Sequence, residues 1–130
     1  MKLVTTVTVV QILTEKSKEK IANSLSARKT QLQKEIGQLQ FEMKRLEKSK
    51  KFPEYRLRQY FEKEIDERKE KIKLLDFQLE QLEILPLGSE LKEREMEAIV
   101  EVQEGDSWEK ILAGKTIVIK DGIIEEIREV

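Results

Sequence analysis

The chain has 130 residues, 39% of them charged, with 25 Lys and Arg against 26 Asp and Glu for a net charge of −1. That length gives one domain with a protruding element as the default, and near-neutrality argues against a molecule steered as a whole towards nucleic acid. Cysteine and histidine are both absent, which excludes a disulfide framework, thiolate or imidazole metal sites, and Ser-His or Cys-His nucleophile systems.

The charge is unevenly spread. Residues 1–89 hold 19 Lys and Arg against 14 Asp and Glu, whereas residues 90–130 hold 6 against 12. The lack of cysteine fits a reducing cytoplasm, and no apolar run approaches the length of a membrane span. The opening Val- and Thr-rich stretch lacks a small-residue cleavage site, so a signal peptide is not expected.

In chain order, residues 2–13 are dominated by Val, Ile, Leu and Thr. Such β-branched side chains are stiff at χ1 and fit a pleated surface, so a strand is predicted. Its partners must lie beyond residue 89, where strand-like sequence recurs. Thr14 is the expected N-cap of the helix that follows, with Glu15 at its positive end.

Residues 14–85 read as an antiparallel coiled-coil hairpin with its turn at 51–54. In the first arm Leu25, Arg28, Leu32, Ile36, Leu39, Met43 and Leu46 form a heptad-like seam, with one irregularity at Leu32–Ile36. In the second arm Phe61, Ile65, Arg68, Ile72, Leu75, Leu79 and Leu82 follow at steps of four and three, interrupted only by Arg68. Pairing the two seams antiparallel places Leu46 by Phe61 and Leu25 by Leu82. The fold-back then falls where Pro53 bars Phe52 from the α region. Gly37, mid-helix, costs about 1 kcal/mol relative to Ala and is either a close helix approach or a tolerated weakness.

Pro86 and Gly88 end the second arm. Residues 94–103 alternate, with Met96, Ala98, Val100 and Val102 on one face, and predict a strand. A short helix over 107–113 follows, expected to be capped by Asp106 and closed by Gly114, with Trp108, Ile111 and Leu112 covering one end of the sheet. The final segment is a β-hairpin around Asp121-Gly122. A three-residue loop with Gly122 in the left-handed region is expected, because it gathers Ile117, Ile119, Ile123 and Ile127 on one face. The fold class is therefore α+β: a long antiparallel coiled-coil hairpin projecting from a small antiparallel β-sheet or partial barrel. The terminal segments, residues 1–13 and 86–130, build that sheet.

Little in the sequence carries covalent chemistry. Glu62, Asp66 and Glu70 recur at i, i+4 but interleave with Lys63, Lys69 and Lys73, as on a solvated, ion-paired helix face. The glycines sit singly at turns and caps and form no phosphate loop. No enzyme activity, cofactor, metal or small-molecule substrate is expected. The hairpin tip is different. Residues 44–58 hold seven basic residues against Glu47 and Glu54, with Phe52 and Tyr55 among them. Basic charge with interleaved aromatics suits phosphate contact and base stacking. The candidate nucleic-acid contacts are Lys48, Lys50, Lys51, Tyr55, Arg56 and Arg58; the plain alternative is a solvated turn with Phe52 and Tyr60 capping the seam.

Three stretches resemble the YlqD family of bacterial proteins: Leu39-Gln40-Phe41-Glu42-Met43-Lys44-Arg45-Leu46-Glu47-Lys48, Leu85-Pro86-Leu87-Gly88-Ser89-Glu90 and Ile119-Lys120-Asp121-Gly122-Ile123-Ile124-Glu125-Glu126-Ile127. The genes of that family commonly lie beside ribosome-maturation and RNA-modification genes, so the resemblance implies a ribosome- or RNA-linked role by association. Transcript-cleavage factors fit less well, since their hairpin tips are acidic. Prefoldin-type chaperones also fit less well, with chain termini at the distal ends of their coils. The expectation is a cytoplasmic, non-enzymatic binding module whose tip contacts RNA or the ribosome. The rival is a protein–protein or self-association module working through the coiled coil or the acidic β unit.

Overall fold

Residues 1–129 are described by the computed structural model of the chain. The elements are β1 (Lys2–Ile12), α1 (Glu15–Ser49), α2 (Glu54–Ile84), β2 (Glu90–Glu101), α3 (Trp108–Ala113), β3 (Lys115–Lys120) and β4 (Ile123–Glu129). Two compact units result: residues 1–19 with 85–130, and residues 20–84.

The first unit is a four-stranded sheet in the order β2-β1-β3-β4. β1 is central. It pairs antiparallel with β2, from Lys2 opposite Glu101 to Ile12 opposite Glu90, and parallel with β3, Val7 opposite Lys115. The sheet is thus mixed and open, where the sequence suggested a purely antiparallel one or a partial barrel. The difference lies in the route from β2 to β3 through α3, which crosses β1 and delivers β3 parallel to it.

Alternation along β1 buries Val7 and Val9 on one face; β3 contributes Val118 on the other, and with Leu13 it is the most deeply buried side chain. Just past β1, Leu13 is locked by backbone bonds on both sides: its N–H donates to the Ser89 carbonyl at 2.8 Å and its carbonyl accepts from Gly88 N–H at 2.7 Å. Thr14 caps α1 as expected. Its hydroxyl accepts from Ser17 N–H at 3.1 Å while Ser17 Oγ accepts from Thr14 N–H at 2.8 Å, a reciprocal box. The same Thr14 hydroxyl donates to Asp121 Oδ1 at 2.6 Å, tying the start of α1 to the β3–β4 turn.

Two β-bulges set the registers. Val9 faces Arg94 and Val10 faces Lys92, so Glu93 is the extra residue of β2; Val118 faces Glu126 and Ile119 faces Ile124, so Glu125 is the extra residue of β4. The second bulge corrects the expected hairpin. Lys120 pairs with Ile123 across a two-residue turn in which Asp121 and Gly122 both have positive φ, 49° and 81°, as a type I′ turn requires. The bulge then gathers Ile117, Ile119, Ile124 and Ile127 on one face, with Ile123 on the other. One-face patterning was the right criterion; a bulge, not a longer loop, satisfies it.

α3 is capped one residue later than expected. Ser107 Oγ accepts from Lys110 N–H, while Asp106 turns back to accept from Gln103 N–H at 2.8 Å. Trp108 and Leu112 are exposed and do not cover the sheet end; only Ile111 is partly shielded. Six residues make too short a helix to bury three large side chains against one patch.

In the second unit α1 and α2 form an antiparallel hairpin. Lys29 bridges to Asp76 at 2.7 Å and Arg58 to Glu47 at 3.7 Å, so residues late in one helix meet residues early in the other. In α2 Leu57, Phe61, Ile65, Leu75 and Leu82 are buried, at spacings that keep one face inward. Arg68 remains in the seam, its Nη1 donating to the Glu64 carbonyl at 3.0 Å and to Glu64 Oε2 at 2.9 Å. In α1 the seam runs past Lys29 instead of Arg28, which is exposed. Gly37 is exposed with open space around it, which excludes a close helix approach there.

Candidate nucleic-acid interface at the hairpin tip

α1 ends because the chain changes hand at Lys50, whose φ of 55° lies in the left-handed region. Its N–H donates to the Glu47 carbonyl at 3.3 Å, and Ser49 Oγ donates to the Leu46 carbonyl at 2.7 Å, so the last carbonyls find donors. Pro53 sits one position before α2, where its missing N–H costs nothing. Its carbonyl accepts from Arg56 N–H at 3.1 Å and Leu57 N–H at 3.3 Å. Glu54 then places a carboxylate at the positive end of α2.

These local rules decide where the side chains go. Leu57 and Phe61, four apart, turn into the seam, and Tyr60 meets Phe61 edge-on at 5.1 Å while staying exposed. Phe52 belongs to neither helix and is 54% exposed; Tyr55 is 66% exposed. Phe52 is thus not sealed into the seam, whereas Tyr60 covers part of it through its contact with buried Phe61. Arg56 Nε donates to the Tyr55 hydroxyl at 3.3 Å, and its guanidinium carbon lies 6.0 Å from the ring centroid, at the edge of cation–π range.

The six contacts read from the sequence all fall in the last turn of α1, the link and the first turns of α2, and all are exposed. They are not equivalent. Arg58 is tied to Glu54 at 3.2 Å and Glu47 at 3.7 Å, so it already faces carboxylates of its own chain. Further down α1, Arg45 forks onto Glu42, with Nε 3.1 Å from Oε2, and that bond holds the Glu42 carboxyl below the usual carboxylate range. Lys48, Lys50, Lys51 and Arg56 have no carboxylate partner among the described residues. Phe52 adds to this surface although the sequence reading left it out of the contact set. The signal was the proline after it, which keeps residue 52 out of any seam position.

The tip can thus offer four free cations and two aromatic faces to a polyanion. Elsewhere, no group of three or more acidic side chains placed to hold a metal occurs among the described residues, and no described helix is long and apolar enough to cross a membrane.

The family profile described as YlqD protein matches residues 1–128. The uncharacterized protein YlqD of Bacillus subtilis (strain 168) is 44% identical over 129 residues, 99% of each chain. A crystal structure of a protein of unknown function from Synechococcus sp. WH 8102 superposes with a TM-score of 0.85 at 21% identity, over 99% of this chain and 96% of that one. This last likeness concerns the fold alone.

Proposed function

The chain belongs to the YlqD family, and from that footing we propose that it is a non-enzymatic binding module whose hairpin tip contacts RNA, free or within the ribosome. The observation that carries this reading is the pairing of two exposed aromatics, Phe52 and Tyr55, with four cations that no carboxylate neutralises. Exposed rings cost free energy in water, and a stacked base offsets that cost while its phosphates meet the lysines. The non-enzymatic part rests on the absence of histidine and cysteine, and the absence of cysteine also supports a cytoplasmic setting.

Replacing Lys48, Lys50, Lys51 and Arg56 with Glu leaves the seam and the Arg58 ion pairs intact, so helical content is retained. Co-sedimentation with ribosomes and binding to an unpaired RNA oligonucleotide are both lost. With four phosphate contacts, log affinity of the natural chain falls against log salt with a slope of about −3. Tyr55→Ala weakens single-strand binding by about 1–3 kcal/mol if the ring stacks on a base. Equal co-sedimentation of the two proteins, or none for either, overturns the RNA reading.

One observation favours a second reading. Leu74, Phe77 and Ile84 are exposed along α2 on the side away from buried Leu75 and Leu82, an apolar stripe that fits a protein partner better than RNA.

A further inference from the structure

β2 is an outer strand whose inner side pairs with β1 from Glu90 to Glu101 and whose outer side has no strand partner among the described residues. Such an edge presents backbone donors and acceptors that can pair with another chain. Its central sequence, Leu91-Lys92-Glu93-Arg94-Glu95-Met96, is a charge palindrome. Laid antiparallel against itself, it sets Lys92 opposite Glu95, Glu93 opposite Arg94 and Leu91 opposite Met96, each twice.

The bulge makes this pairing consistent. In a regular strand Lys92 and Glu95 point to opposite faces. Because Glu93 is an extra residue, Lys92 and Glu95 share the face of their β1 partners Val10 and Thr8, while Leu91 and Met96 share that of Gln11 and Val7. A twofold axis normal to the sheet keeps faces matched, and opposed residues of an antiparallel pair lie on one face. We propose that a second copy of this chain docks along β2, strand against antiparallel strand, with the axis between Glu93 and Arg94.

The flanking charges agree with this register. It brings Glu90 opposite Glu97 of the second copy, and Glu90 is already neutralised by a bidentate bond from Arg128. Shifting the register by two places towards Ser89 leaves only Lys92 opposite Glu93 as a complementary pair, sets Glu90 against Glu95 and strands Arg94 opposite Leu91. Within one chain Lys92 meets Glu95 at 2.7 Å and Arg94 meets Glu93 at 3.4 Å. These are surface pairs of little worth, so exchanging them for pairs across the axis costs little. The same charges deter strands of other sequence.

The test is the mass of the full chain by analytical ultracentrifugation at low salt. The natural chain sediments as a dimer. Glu95→Lys places like charges opposite Lys92 of the second copy, and Lys92→Glu does the same opposite Glu95; each variant alone is a monomer. Mixed together, the two variants restore opposite charges at both positions and form a heterodimer. That recovery shows both variants are folded, and circular dichroism of each checks it separately. A monomeric natural chain, single variants that remain dimeric, or a mixture that stays monomeric overturns the proposal.

Discussion

Gly37 stands in the middle of α1, exposed, and a Cβ built on it meets nothing within 4 Å. Its only effect there is the entropy it forfeits on entering a helix. Gly37→Ala is expected to stabilise the hairpin by about 1 kcal/mol, read as a raised denaturant midpoint without a change in slope. Gly114 is the opposite case. Its φ is 74°, and a Cβ would lie 2.6 Å from the Thr6 carbonyl oxygen, on the central strand. Gly114→Ala forces either the α3–β3 joint or β1 to move, and a loss of about 1–3 kcal/mol is expected from thermal unfolding of the sheet. The sequence announces both as glycine. Only the neighbouring backbone separates the dispensable one from the indispensable one.

At the scale of elements, the sheet is clamped from edge to edge. Arg128 on β4 holds Glu90 on β2 with both terminal nitrogens, and its Nε donates to Glu126 at 3.1 Å. Glu126 and fully buried Val118 are register partners, so the clamp lies on the face that Val118 occupies. The Arg128 hydrogen bond holds the Glu90 carboxyl below its ordinary range. A depressed carboxylate contributes stability that is present above its unfolded value, about 4.3, and is lost as pH falls through the lower folded value. An NMR titration should find Glu90 ionising below the ordinary range, and Arg128→Gln should return it there. Acid weakening of the sheet should shrink accordingly in Glu90→Gln. The Pro53 turn, the Thr14 cap and the heptad seam, apart from Arg28, whose place Lys29 takes, were legible because each depends on residues within one or two helical turns. The bulges at Glu93 and Glu125, the parallel β1–β3 pairing and this clamp were not, because each is settled by a partner strand distant in the chain. At the tip, the basic run was legible, but the capture of Arg58 by Glu47 required the fold-back itself.

For the whole molecule, charge follows the division into units. Residues 20–84 carry 16 Lys and Arg against 12 Asp and Glu, and the remainder carries 9 against 14. A polyanion is therefore attracted to one unit and repelled by the other, so affinity should rise on deleting acidic β-unit charge even where nothing is touched. Stability also divides. Removing residues 2–13 takes away the strand that pairs with both β2 and β3. Amide protection across β2 and β3 should be lost, while the helical circular dichroism of residues 20–84 largely survives. A truncated chain that kept its β2 protection would contradict the central place of β1.

That central place has a consequence in time. Gln11 bonds to Glu93, 82 residues further on. At roughly 5–20 residues per second of synthesis, β1 waits on the order of 4–16 s before its first partner strand has been made. Through that interval Val7-Thr8-Val9-Val10-Gln11-Ile12 is an uncharged, β-prone run with unsatisfied backbone, the kind of segment that seeds aggregation. What lies between is the hairpin, whose contacts are local and whose folding is correspondingly fast. Once formed, it replaces a long floppy loop with a short fixed one and returns Leu13 to Ser89. Variants that slow hairpin formation are therefore expected to appear first as insoluble nascent protein, measured as the soluble fraction during synthesis.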